Sequence, residues 1–97
     1  MGRANRIRPK RLGEKLKYIR ESLNLTREQI IERLDYKESS LYPQNIWGFE
    51  KSEREPNLII LLAYSRLARI HLEILVDDEL DLPEKLQSKT KISLNDT

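Results

Sequence analysis

The stretch NIWGFEKSEREP, residues 45–56, decides how this chain is read. It holds the only tryptophan and the only phenylalanine, Trp47 and Phe49, with Gly48 between them, then turns charged and stops at Pro56. Read as part of a helix running from Pro43 to about Lys51, it has two sides. At 100° per residue Ile46 and Phe49 fall together, while Gln44, Trp47, Gly48 and Lys51, at i, i+3, i+4 and i+7, share the opposite face. Trp47 therefore stands with an amide, a bare backbone position and a cation. Such a face suits a helix laid in a DNA major groove: glutamine offers a bidentate edge to a base, an aromatic ring rests on a thymine methyl or a sugar, and lysine takes a phosphate. A glycine inside a helix costs about 1 kcal/mol against alanine, a cost explained if the backbone must approach the duplex there. The competing reading makes Trp47 a half-buried wall against a neighbouring helix, with Gly48 giving it room.

Outward from this stretch the chain reads as helices. Apolar residues at 12, 16, 19 and 23 form one stripe of a first helix, with Lys15, Lys17 and Arg20 off it and Asn24 at its end. Thr26 followed by Gln29 has the capping-box spacing, which opens a second helix whose buried face is Ile30, Ile31 and Leu34. Asp35 follows where a left-handed residue lets the chain turn. YKESSLYPQ is a long linker, and Pro43 fits the first position of the third helix. Asn57 caps a fourth helix, LIILLAYSRLARI, apolar almost all round and so expected at the centre of the core. His71 or its neighbourhood starts a short fifth helix, LEILV. No alternating strand pattern and no internal repeat is visible. The expectation is an all-α chain of five short helices.

Composition narrows the partners. The 97 residues carry a net charge of only +2. Its distribution is uneven: residues 1–54 hold 13 Lys/Arg against 8 Asp/Glu, and residues 55–97 hold 5 against 8. The first half is thus expected to meet something anionic. MGRANRIRPKR concentrates Arg3, Arg6, Arg8, Lys10 and Arg11 without an acid, which suits either a solubilising arm or one that neutralises phosphates. Acid gathers at Glu73, Asp77, Asp78, Glu79, Asp81 and Glu84, with no Lys or Arg among residues 70–84. Without cysteine there are no disulfides or thiolate metal sites, and a reducing cytosol is the simplest home. No apolar run reaches the roughly 18 residues of a membrane span, and the basic N-terminus lacks the apolar segment of a signal peptide.

Residues 12–76 resemble the XRE, or Cro/cI-type, helix-turn-helix family of phage repressors and bacterial regulators. LGEKLKYIR (12–20) is similar to the family's L-x-x-x-L-x-x-L-R, and LT at 25–26 opens the second helix. Ile46, Phe49, Glu50 and Pro56 follow I-x-x-[FW]-E-x-x-x-x-x-P, and LLAYSRL with LEIL follows the pattern of the last two helices. The resemblance implies a five-helix, lambda-repressor-like DNA-binding domain; with the basic run at 1–11 read as an arm and Pro83 ending order ahead of a flexible tail at 83–97, the domain is expected over residues 12–82. It implies base contacts by Gln44, Asn45, Trp47 and Gly48. Arg27 then stands where the family commonly grips phosphate with glutamine, Lys51 and Arg54 lie toward the backbone, and Glu50 is structural. The helix-turn-helix turn is about five residues longer than usual, which adds Ser39, Ser40 and Tyr42 as phosphate contacts. Asp35, Ser52 and Arg69 replace the family's glycines.

Other chemistry has little to stand on. One histidine, no cysteine, no Ser-His-Asp set and no glycine-rich phosphate loop argue against an enzyme, and DDELD lacks the glycine and spacing of a calcium loop. No cofactor, metal or small-molecule substrate is expected. The expected partner is double-stranded DNA, bound by a cytoplasmic, prokaryotic or phage-encoded homodimer acting as a repressor by default. Its dimer interface is expected at Leu72, Leu75 and Val76, continuing to Leu80 and Leu82. The rival is an antitoxin or interaction module of the same fold, engaging a protein through the acidic C-terminal end.

Overall fold

The computed structural model describes residues 8–86. Among these residues the protein is all-helical: α1 (Leu12–Ser22), α2 (Arg27–Leu34), α3 (Pro43–Glu50), α4 (Leu58–Ala68) and α5 (Leu72–Val76). Local chemistry sets most of the boundaries. The Thr26 side chain accepts from the Gln29 N–H at 3.1 Å and Gln29 accepts from the Thr26 N–H at 2.9 Å, so the capping box at the start of α2 is closed in both directions. Asn57 accepts from the Ile60 N–H at 2.9 Å and starts α4. Pro43 occupies the first position of α3, where a missing N–H costs nothing. His71 is the residue that precedes α5, a helix-end position.

Among the described residues, four that are not glycine have positive φ: Asn24 (59°), Asp35 (53°), Ser52 (63°) and Arg69 (60°). Each lies just past the end of a helix, where a left-handed residue turns the chain. Serine and arginine are poor residues for this conformation, which costs an L-residue roughly 1 kcal/mol.

The core is shared by all five helices. Leu16 and Ile19 of α1, Ile30 of α2, Ile46 of α3, Tyr64 of α4 and Leu75 of α5 are fully buried. The first helix packs on α3 and α5, the second on α3 and α4, and α4 also meets α5. The fourth helix is not buried all round, as its composition suggested. Ile60, Leu61, Tyr64, Leu67 and Ala68 face the core, but Leu58 and Ile59, on the other side of its first turn, are 64% and 51% exposed.

Where α1 crosses the end of α3 the two backbones nearly touch. A Cβ on Gly13 would stand 2.6 Å from the Glu50 carbonyl oxygen, 2.6 Å from Ser52 Oγ and 2.9 Å from the Phe49 carbonyl oxygen. Glycine is required here by close approach rather than by a turn.

Lys15 corrects the reading of α1. It lies on the buried side, 2% exposed, and its Nζ donates to the carbonyls of Ile74 (2.7 Å), Asp77 (2.9 Å) and Leu80 (2.8 Å). One ammonium thus satisfies carbonyls at the end of α5 and just beyond it. Burial pushes its pKa down, and the neighbouring Arg11 adds to the effect. Lys15→Met keeps the stem and removes three donors, so it should cost about 2 kcal/mol and accelerate amide exchange around residues 74–80. Unchanged melting and exchange would show that these carbonyls are satisfied without the lysine.

The ends of the described chain are joined by a second set of bonds. The Asp78 carboxylate accepts from the backbone N–H groups of Lys10 (2.9 Å) and Arg11 (3.0 Å), which hold its pKa below the usual carboxylate value. Arg11 donates to the Asp78 carbonyl at 2.8 Å and to Asp81 at 2.8 Å. The hydroxyl of Tyr18 donates to the Glu84 carbonyl at 2.8 Å, and Leu82 and Leu86 pack against the core. The packed unit therefore overruns both expected boundaries, at 11/12 and at 82/83. Among the described residues, no helix is long and apolar enough to cross a membrane.

Candidate nucleic-acid interface

The third helix is anchored from below and open above. Ile46 is fully buried and Phe49 is 6% exposed, which fixes the inner face. Glu50 completes the anchor with a side chain only 1% exposed. Its carboxylate accepts from Arg20 Nε (2.7 Å) and Nη2 (3.1 Å), and from Arg27 Nη2 at 3.0 Å. One carboxylate thereby ties α1, α2 and α3 together, a structural placement. Arg20 also donates to the Leu25 carbonyl at 3.1 Å. Glu50 raises the pKa of Arg20, and burial pushes the Tyr64 phenol up.

On the outer face Gln44 is exposed and Trp47 is 40% exposed, with Lys51 Nζ 5.9 Å from the centre of its ring. This distance is within the range of a cation–π contact. Trp47 therefore lies outside the core, with part of its ring covered. Tyr42 stands at the start of the same helix, 61% exposed. Gln44, Trp47 and Lys51 are brought together as expected.

Two members of the expected base-reading set are placed differently. Asn45 is half-buried, and its side-chain oxygen accepts from the Tyr42 N–H at 2.9 Å, so it works as a helix cap. Gly48 is buried, which corrects its assignment as a base contact. The loop after α3 folds back, donating the Glu53 N–H (2.9 Å) and the Arg54 N–H (3.2 Å) to the Gly48 carbonyl. The stem of Arg54 then lies over the glycine: a Cβ there would stand 3.2 Å from its Cδ and 3.3 Å from its Cγ.

The expected phosphate contacts also divide. Ser39, Ser40, Lys51 and Arg54 are exposed. Arg27 is partly committed, with one nitrogen on Glu50 and a side chain 32% exposed. Arg11 is corrected, because its guanidinium is already bonded to Asp81, Glu14 and the Asp78 carbonyl rather than free for a phosphate. Lys10 is exposed, although its backbone is held by Asp78. Arg8 sits 3.6 Å from Glu55, in the loop between α3 and α4. Arg8 therefore lies beside that loop. Arg3 and Arg6 lie outside the described residues.

The expected dimer set does not form a surface. Leu75 is fully buried in the core, and Leu72 and Leu82 pack against that core. Leu80 is half-buried, with its carbonyl on Lys15, and only Val76 is exposed, at 37%. A single turn of helix turned inward explains the difference: its apolar residues cover α1 and α4. Among the described residues no group of His, Cys, Asp and Glu is arranged to hold a metal ion.

The connection between α2 and α3 and the loop between α3 and α4 enclose a polar cleft of about 270 Å³. Ser39, Ser40, Asn45 and Arg54 line it. Comparisons with protein-family models, with curated proteins and with solved structures found no match.

Proposed function

We propose that this chain is a sequence-specific DNA-binding transcription regulator of helix-turn-helix type, acting as a repressor, with α3 laid in the major groove. The observation that carries the proposal is the division of α3. One side is locked by Ile46, Phe49 and the doubly paired Glu50, and the other presents Gln44, Trp47 and Lys51 to solvent. A reading helix needs this rigidity beneath and this mixture of amide, ring and cation above. The backbone adds support. Asp35, Ser52 and Arg69, which stand in place of the resembling family's glycines, all have positive φ, the conformation glycine would supply.

The acidic end offers less to a protein partner than its composition suggested. Asp78 and Asp81 are already engaged by Lys10 and Arg11, and Asp77 accepts from the Glu79 N–H. The DNA reading is therefore preferred to the antitoxin or interaction-module reading. One short helix reads only a few base pairs, so two copies on half-sites about 34 Å apart belong to the proposal.

Selection of bound duplexes from a random pool tests the reading directly, and a repeated half-site should emerge. Gln44→Ala should then weaken the selected site by roughly 1–3 kcal/mol and relax preference at one base pair. Trp47→Ala should weaken binding to the same site. If both variants bind selected and random duplexes as the parent does, α3 is not the reader.

A further inference from the structure

The stem of Arg54 lies over Gly48, and Arg54 lines one cleft together with residues of the lengthened connection. The placement is built rather than incidental. Two backbone bonds to the Gly48 carbonyl fold residues 53–54 back against α3. Without a Cβ at 48, the methylenes of Arg54 lie flat on the helix. Its guanidinium makes no hydrogen bond or ion pair among the described residues. Ser39 and Ser40 line the same cleft, and their hydroxyls likewise have no partner among the described residues.

Glu55 also lines the cleft, but Arg8 stands 3.6 Å from its carboxylate and offsets its charge. Asn57 on the far wall is consumed in capping α4 and in donating to the Tyr36 hydroxyl at 3.0 Å. What remains is the Arg54 cation and two hydroxyl donors around a cleft that borders α3 on its Asn45 and Phe49 side. An anion with several acceptor oxygens fits this set, because a guanidinium forks onto a phosphate while short hydroxyls fill its other oxygens.

We propose that Arg54, seated over Gly48 and lining one cleft with Ser39 and Ser40, clamps one phosphate of the DNA backbone, with Gly48 as its positioning residue. This rests on the DNA-binding reading and explains the lengthened connection, which supplies the second wall of the clamp. It also reassigns Gly48, whose missing side chain serves an arginine of the same chain rather than the duplex.

Salt dependence of binding is the test. Each phosphate neutralised contributes about 0.9 to the slope of log K against log salt. Arg54→Ala should therefore lower the slope by about one unit and weaken selected and random duplexes alike. Arg54→Lys should keep the slope. Gly48→Leu removes no charge but fills the seat, so it too should lower the slope, and it should lower it no further in the Arg54→Ala background. Ser39→Ala with Ser40→Ala should weaken binding at an unchanged slope.

A parent that binds no duplex overturns both the clamp and the reading beneath it. A parent that binds duplex, with an unchanged slope in Arg54→Ala, overturns the clamp alone. Additive losses from Gly48→Leu and Arg54→Ala would also overturn the positioning role. Inorganic phosphate should not saturate the cleft: tight, saturable shifts of the Ser39 and Ser40 amides would assign it to a free anion instead.

Discussion

Glu50→Ala should lower stability by about 3–5 kcal/mol, the usual cost of removing one partner from a buried ion pair. The size follows from what is left behind. Arg20 and Arg27 have side chains only 11% and 32% exposed, and both point at the vacated position. Arg27 Nε is already buried without a hydrogen-bond partner among the described residues, so loss of the carboxylate deepens an existing shortage of acceptors, which the neutral Tyr64 hydroxyl can offset only in part. Two cations would face each other where one anion stood between them. Urea unfolding should show a lower midpoint with an unchanged slope, since the surface exposed on unfolding is the same. A loss below about 1 kcal/mol would mean that water reaches the two guanidiniums and that the lock beneath α3 is weak.

Gly13→Ala should cost about 3 kcal/mol, at the upper end for overpacking. In a domain of this size that lowers the melting temperature by roughly 12–24 °C. A solvent-exposed helix would gain stability from the same change, since alanine is the better helix former by about 1 kcal/mol. Here sterics decide the sign. Ser52 Oγ can rotate away from the new methyl, but the carbonyls of Phe49 and Glu50 belong to the last turn of α3 and cannot. Either α1 lifts or α3 bends, and both loosen the helix proposed to read DNA. Calorimetry measures the loss, and a melting temperature equal to or above the parent's would disprove the close contact.

The helices and their ends are legible in the sequence because their causes are local. Thr26 with Gln29, Asn57 with the start of α4, Pro43 at the head of α3 and Asp35 past the end of α2 act within four residues, and a sequence read in order exposes them. The outward placement of Gln44, Trp47 and Lys51 is legible for the same reason, being set by helical period. What the sequence misplaces involves partners distant in the chain. Lys15 reads as a surface lysine, but its carbonyl partners lie about sixty residues away. Its position does carry a clue, since it shares the buried side of α1 with Leu12 and Ile19. Leu75 reads as a contact to a second copy because a single helical turn carries no sign of which neighbour it faces. Gly48 stands out as a helix glycine needing an explanation, whereas Gly13, equally costly inside a helix, does not draw the eye. In both cases the explanation is a close approach by another part of this chain.

The bonds from Lys10, Arg11 and Lys15 to residues 74–81 also bear on how the molecule is made. A chain is synthesised from its N-terminus and its elements become available in that order. The first helix emerges early, yet the carbonyls that receive its buried ammonium are among the last parts of the packed unit to appear. Until then Lys15 is hydrated, and burying it would leave a charge unpaired. Closing the core before those carbonyls are present therefore carries an energetic cost. The buried ammonium can be fully paired only once residues 74–80 have arrived.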